Sequence, residues 1–164
     1  MLVIICGLPG TGKTTLAREV AKHIPAVHIS SDAIRMMLLR KRTYSEKEKE
    51  GVYKAMFKKA EELITGGRSV VLDATFYKKM LREKARAIAD KTKSKFFLVE
   101  CTTPESVLRE RMFARKRGES ESEADFEVYK KIKEIFEPIE DEHLIVDTSQ
   151  PIERQVRLVM NYLC

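Results

Sequence analysis

Leu2–Cys6 is an unbroken apolar run, Gly7–Thr14 is a glycine-rich turn, and from Thr15 to His23 the apolar positions fall at helical spacing. The same alternation continues down the chain. Apolar runs at Ala26–Ile29, Val70–Leu72, Phe96–Val99 and Leu144–Val146 predict four more strands. Helical spacing predicts helices over Asp32–Leu39, Glu46–Ile64, Lys78–Ala89, Pro104–Arg115, Ala124–Phe136 and Pro151–Leu163. The strand at Val70–Leu72 is wholly apolar, as a parallel strand covered on both faces is. In the helix from Glu46, Val52, Met56, Ala60 and Leu63 form one stripe, and Gly66-Gly67 ends it. Pro104 opens its helix, where the missing N–H costs nothing. Strands alternating with helices predict an α/β fold, a five-stranded parallel sheet with helices on both faces. No repeat or linker interrupts it, and only Gly118–Glu123 reads as a mobile stretch.

The 164 residues predict one domain, 1–164, with enough chain for a real core. Hydrophobic residues make up 43% and charged residues 34%, of mixed sign, which excludes a disordered chain. No apolar run reaches membrane-span length, and no signal peptide is visible, so the expected location is cytoplasmic with no membrane partner. Cys6, Cys101 and Cys164 are far apart and odd in number, which argues against a disulfide scaffold or a zinc site. Lys and Glu far outnumber Asn and Gln, a bias found in proteins from hot environments. The net charge of +6 is unevenly placed. Residues 32–95 carry 18 Lys and Arg against 9 Asp and Glu, a balance that suits a phosphorylated or polyanionic partner.

The sharpest chemical signal is Gly7-Leu8-Pro9-Gly10-Thr11-Gly12-Lys13-Thr14, a full match to G-x-x-x-x-G-K-[ST] between a strand and a helix. Glycines let backbone N–H groups curl around phosphates, and the helix N-terminus adds its positive end. Lys13 is then expected on the β- and γ-phosphates, Thr14 on Mg²⁺, and Thr15 beside them, with ATP as the default donor. The chain has no N-K-x-D guanine signature, no apolar run ending in Asp-Glu, and no L-S-G-G-Q. A compact phosphotransferase fits the length better than a motor or transporter ATPase.

Ligands of such sheets bind beyond the carboxyl ends of the strands. Three groups reach that edge. Asp32 follows the second strand and is a candidate base for an acceptor hydroxyl. Arg35 comes about one turn later and could hold an acceptor phosphate in its fork. Asp73 ends the third strand, placed to orient Arg35, touch the acceptor or hold a water on Mg²⁺. Helix capping is the competing explanation for Asp32 and Asp73. Arg111 and Arg115 share a helix face ahead of Gly118 and predict a lid over the phosphates, about residues 111–127.

Gly7–Thr14, Ser30-Ser31-Asp32-Ala33-Ile34-Arg35, Leu72-Asp73-Ala74-Thr75 and Arg111-Met112-Phe113-Ala114-Arg115 together resemble the polynucleotide 5′-hydroxyl kinase branch of P-loop kinases, near the zeta-toxin and seryl-tRNA kinase groups, within the AAA-type ATP-binding kinases. The resemblance implies a three-layer P-loop kinase fold with strand order 2-3-1-4-5 and a helical lid. It implies Lys13 and Thr14 on ATP and Mg²⁺, Asp32 as general base, Arg35 on an acceptor phosphate, Asp73 in support, and Arg111 and Arg115 on the donor phosphates. That strand order makes Cys6 and Cys101 neighbours, expected as free buried thiols. The leading expectation is γ-phosphate transfer to an alcohol, with a nucleic-acid 5′ end or nucleotide as acceptor. A metabolite kinase for a sugar, nucleoside or antibiotic stands second, and an ATP-binding switch third. The Asp32 and Arg35 pair argues against the switch, which needs no acceptor base.

Overall fold

A computed structural model describes residues 1–39, 43–115 and 126–164 of the chain, without the side chain of residue 115. In chain order the elements are β1 (Leu2–Cys6), α1 (Lys13–His23), β2 (Ala26–Ser30), α2 (Ser31–Leu38), α3 (Glu46–Thr65), β3 (Ser69–Asp73), α4 (Lys79–Lys91), β4 (Phe96–Thr102), α5 (Glu105–Arg115), α6 (Phe126–Ile135), β5 (Leu144–Asp147) and α7 (Ile152–Leu163). The five strands form one parallel sheet in the order β2-β3-β1-β4-β5. The expected order and fold class therefore hold. Residues 116–125, which include most of the expected lid and the Gly118–Glu123 stretch, lie outside the described residues.

Side chains alternate between the faces of a strand, and the core divides accordingly. Leu2, Ile4, Cys6, Leu72 and Leu98 pack under α3 and α4 with Val52, Met56 and Ala85. Val3, Ile5, Val71, Val99 and Cys101 pack under α1 and α7 with Leu16, Val20 and Val159. Every residue of β1 is buried, which is why its sequence is apolar throughout. Cys6 pairs in register with Glu100, so Cys101 faces the other side of the sheet. The strands are adjacent as expected, but the one-residue offset in register puts the two thiols in opposite cores instead of side by side; both are buried and free, as expected. Burial pushes the Cys101 thiol up to about 12.

Two element boundaries differ from the sequence pattern in ways that matter for the site. Helix α1 begins at Lys13, not Thr15, because Gly12 at φ 78° takes the left-handed turn and lets the helix start inside the motif. Ser31 and Asp32 lie inside α2, whose cap position is Ser30, and no side chain caps it. At the far end of α3, Gly67 N–H bonds Ile64 O at 2.9 Å and Arg68 N–H bonds Leu63 O at 2.9 Å, with Gly67 at φ 80°. That closes the helix in a Schellman turn and brings the chain straight into β3. Among the described residues no helix is long and apolar enough to cross a membrane.

Candidate active site

The carboxyl ends of β1, β2 and β3 open onto a cleft of about 1760 Å³. One wall is the glycine-rich turn. Pro9, Gly10, Gly12, Lys13, Thr14 and Thr15 line it, while Gly7, Leu8 and Thr11, also expected at the phosphates, are not part of the lining. Gly7 is irreplaceable at that spot: at φ 141°, any Cβ would lie 2.4 Å from the Cys101 carbonyl oxygen. Thr11 is buried and donates its hydroxyl to Leu8 O at 2.7 Å, which braces the turn. Helix α5 packs over the loop, since a Cβ on Gly10 would meet Met112 at 3.0 Å. The Lys13 ammonium donates to Leu8 O at 2.9 Å, across the mouth of the turn.

The Thr14 hydroxyl donates to Asp73 Oδ2 at 2.7 Å, and the His28 ring approaches the same oxygen at 3.3 Å. Asp73 is buried at the end of β3, and His28 reaches it from the paired strand β2. The sequence also makes Asp73 a candidate to orient Arg35; its carboxylate instead bonds Thr14 and His28. A hydroxyl and a carboxylate beside a phosphate cradle are hard oxygen donors of the kind Mg²⁺ takes alongside substrate phosphates. Among the described residues no cluster of three His, Cys, Asp or Glu side chains could hold a metal alone. The donor set fits a metal that arrives with its phosphates.

Asp32 projects from the first turn of α2 into the cleft and is 38% exposed. Its Oδ1 accepts from Arg35 Nη1 at 2.9 Å. Arg35 is almost buried, and its Nε donates to Glu48 Oε1 at 2.8 Å. The fork expected to hold an acceptor phosphate is thus already committed on two of its three nitrogens. The competing explanation for Asp32, a helix cap, does not apply, because the residue sits past the cap and bonds Arg35 instead. Tyr44, Tyr77, Met36, Met37 and Lys49 continue the lining beyond this pair. Phe76, just after β3, is fully buried at φ 49°, a backbone cost of about 1–3 kcal/mol for a bulky residue. Its N–H is held by the Tyr53 hydroxyl at 2.9 Å and its carbonyl by Arg82 at 2.7 Å, between the cleft-lining residues Thr75 and Tyr77.

At the other end, Arg111 donates Nη1 to Thr148 Oγ1 at 3.1 Å and Nη2 to Thr148 O. Thr148 in turn donates to Thr11 O at 2.6 Å, and the Arg111 guanidinium lies against Gly12. Arg111 therefore borders the phosphate turn, with two of its nitrogens bonded to Thr148. Arg115 closes α5, and its expected contact with the donor lies outside the described residues. Thr148, Glu48 and His28 do not stand out in the sequence. Thr148 and His28 belong to no motif. Glu48 has a local signal in Ser45-Glu46-Lys47-Glu48, a capping-box spacing at the start of α3.

The family described as an AAA domain, AAA_33, matches residues 2–139. An uncharacterized protein of Mycobacterium tuberculosis is 35% identical over 136 residues, covering 76% of this chain and 27% of its own length. The chain thus spans about a quarter of the length of the curated relatives it matches. Among solved structures, a sugar kinase from Janibacter shares 18% identity at a TM-score of 0.76, covering 99% of this chain and 93% of that one. A gluconokinase from Sinorhizobium meliloti shares 21% at 0.76, covering 98% and 90%. The Mycobacterium tuberculosis APS kinase CysC, in complex with AMPPNP and APS, shares 20% at 0.73, covering 99% and 96%. These likenesses establish the three-layer α/β P-loop kinase fold.

Proposed function

The chain belongs to the AAA_33 family of AAA domains, and from that premise we propose that it is an ATP-dependent phosphotransferase acting on the hydroxyl of a small alcohol held in the cleft. The observation that carries this reading is the convergence of a phosphate turn and a salt-bridged carboxylate, Asp32, in one cleft. The M. tuberculosis APS kinase neighbour was solved with an ATP analogue, which supports ATP as the donor. Lys13 and the free N–H groups of the first turn of α1 receive the β- and γ-phosphates. Thr14 and Asp73 would hold Mg²⁺, which when bound spreads the charge of the phosphates. Asp32 takes the proton of the acceptor hydroxyl as that oxygen bonds to the γ-phosphorus. The bond from the γ-phosphorus to the β-γ bridging oxygen breaks, and ADP leaves with that oxygen. Arg111, and Arg115 after it, add positive charge beside the donor.

The placement of the cations of the basic segment supports a small acceptor. Among the described residues 32–95, Arg35 and Lys49 are the two cations lining the cleft, and both are paired with carboxylates. Lys54, Lys58 and Lys59 lie exposed on α3 outside it. Among the described residues, the basic excess that suits a polynucleotide therefore lies mostly outside the cleft; Arg40, Lys41 and Arg42 fall outside the described residues. Sugar kinase, gluconokinase and APS kinase neighbours agree with a small acceptor. The 5′-hydroxyl polynucleotide or nucleotide acceptor remains the second reading, favoured by the same basic surface. A labelled γ-phosphate transfer screen separates them, run over sugars, sugar acids, nucleosides and a 5′-hydroxyl oligonucleotide at low and moderate salt. Salt-insensitive turnover of a small alcohol is expected. Preferential turnover of the oligonucleotide, falling steeply with salt, would replace the first reading with the second.

A further inference from the structure

We infer that Glu48 is a positioning residue for phosphoryl transfer, fixing Arg35 and through it the aim of Asp32; the inference rests on the kinase reading above. Glu48 lies at the third position of α3, with its side chain 4% exposed. In an ordinary capping box such a carboxylate reaches back to the N–H of the cap residue. Here it reaches further. Oε2 accepts from Thr43 N–H at 2.6 Å, the Thr43 hydroxyl at 2.7 Å and Tyr44 N–H at 3.0 Å. Oε1 is left for Arg35 Nε at 2.8 Å. The same loop sets the Tyr44 ring 4.7 Å from the Arg35 guanidinium. A planar cation clamped by a buried carboxylate and an aromatic face has little freedom, and its remaining edge delivers Nη1 to Asp32.

The charges also balance in a useful way. A lone arginine beside Asp32 would weaken it as a base by favouring the carboxylate. Glu48 shares that cation, so Arg35 stands between two carboxylates and is not given to Asp32 alone. Replacing Glu48 with Gln would preserve the shape and the amide oxygen for Thr43 and Tyr44. It would take the acceptor away from Arg35 Nε or turn an NH₂ group against it.

The test compares wild type, Glu48→Gln and Ser45→Ala. Ser45 accepts Glu48 N–H at 3.2 Å and caps the same helix without touching Arg35, so its loss controls for simple destabilisation. Three readings are taken: kcat and KM with the acceptor found in the screen, the ATP dissociation constant, and the ¹⁵N–¹H signal of Arg35 Nε. For Glu48→Gln, kcat should fall by about 10²-fold, the scale set by a misaimed reacting group, with KM and ATP affinity changed by less than about 3-fold. Its Arg35 Nε–H signal should broaden through exchange with water, while Ser45→Ala keeps wild-type kcat and a sharp signal. A wild-type kcat in Glu48→Gln, or a loss equal to that of Ser45→Ala, would overturn the inference. Should wild type transfer phosphate to no alcohol, the kinase reading itself fails. The Arg35 signal then decides the positional claim, and an unchanged signal in Glu48→Gln overturns it.

Discussion

Thr14 Oγ1 donates a 2.7 Å hydrogen bond to Asp73 Oδ2, joining the first turn of α1 to the end of β3 across 59 positions of sequence. On the proposed reading, these two side chains would hold the Mg²⁺ that accompanies the donor phosphates. Asp73→Asn keeps an acceptor for the Thr14 hydroxyl but removes the charge. The concentration of Mg²⁺ for half-maximal turnover should then rise about 10-fold or more. A Mg²⁺ titration of the two proteins checks this, and superimposable curves would remove Asp73 from the metal.

Much of this was legible in the sequence, for identifiable reasons. Strand segments covered on both faces are apolar, so β1 and Val70–Leu72 of β3 stand out as runs. The phosphate turn is a local structure set by eight consecutive residues. Asp32 and Asp73 are legible at the cleft edge because one lies two residues after a strand and the other ends one. What escaped was contact made between elements. Glu48 meets Arg35 across 13 positions, and Thr148 meets Thr11 across 137. No spacing rule announces either. The basic balance of residues 32–95 does not by itself select the acceptor, because charge counted along the chain does not say which helix face carries it.

Two glycines make opposite predictions. Gly7→Ala would force a Cβ into the Cys101 carbonyl at 2.4 Å from a φ of 141°. It should destabilise by about 3 kcal/mol or more, or prevent folding. Gly51 lies in α3 with nothing beyond its chain neighbours and the local helix backbone within 4 Å of where a Cβ would stand, so Gly51→Ala should stabilise by about 0.5–1 kcal/mol. Denaturant midpoints of both variants measure the difference.

Glu48 carries a pH signature. Burial alone would raise its carboxyl, but hydrogen bonds from the Thr43 backbone, the Thr43 hydroxyl, the Tyr44 backbone and Arg35 bring it below its ordinary value. A carboxyl lowered on folding adds stability above its unfolded value of about 4.3, and that stability is lost as pH falls through the folded value. The stability gap between wild type and Glu48→Gln should therefore be constant from about pH 6 to 7. It should shrink as the pH drops below about 4.3. Urea unfolding at a series of pH values reads this, and a gap independent of pH would mean that the charge of Glu48 is not what the fold uses.

The most direct measurement of the central claim is the fate of the γ-phosphate of ATP, followed by ³¹P NMR with the panel of alcohols. Wild type should yield ADP and a phosphate monoester. Asp32→Asn should yield no ester while binding ATP within about 3-fold of wild type, since the base acts on the acceptor and each tenfold in affinity would need about 1.4 kcal/mol of lost donor contact. Lys13→Ala should yield neither ester nor tight ATP binding while remaining folded. Free phosphate as the sole product of wild type with every alcohol, or ester formation by Asp32→Asn at the wild-type rate, would contradict the account.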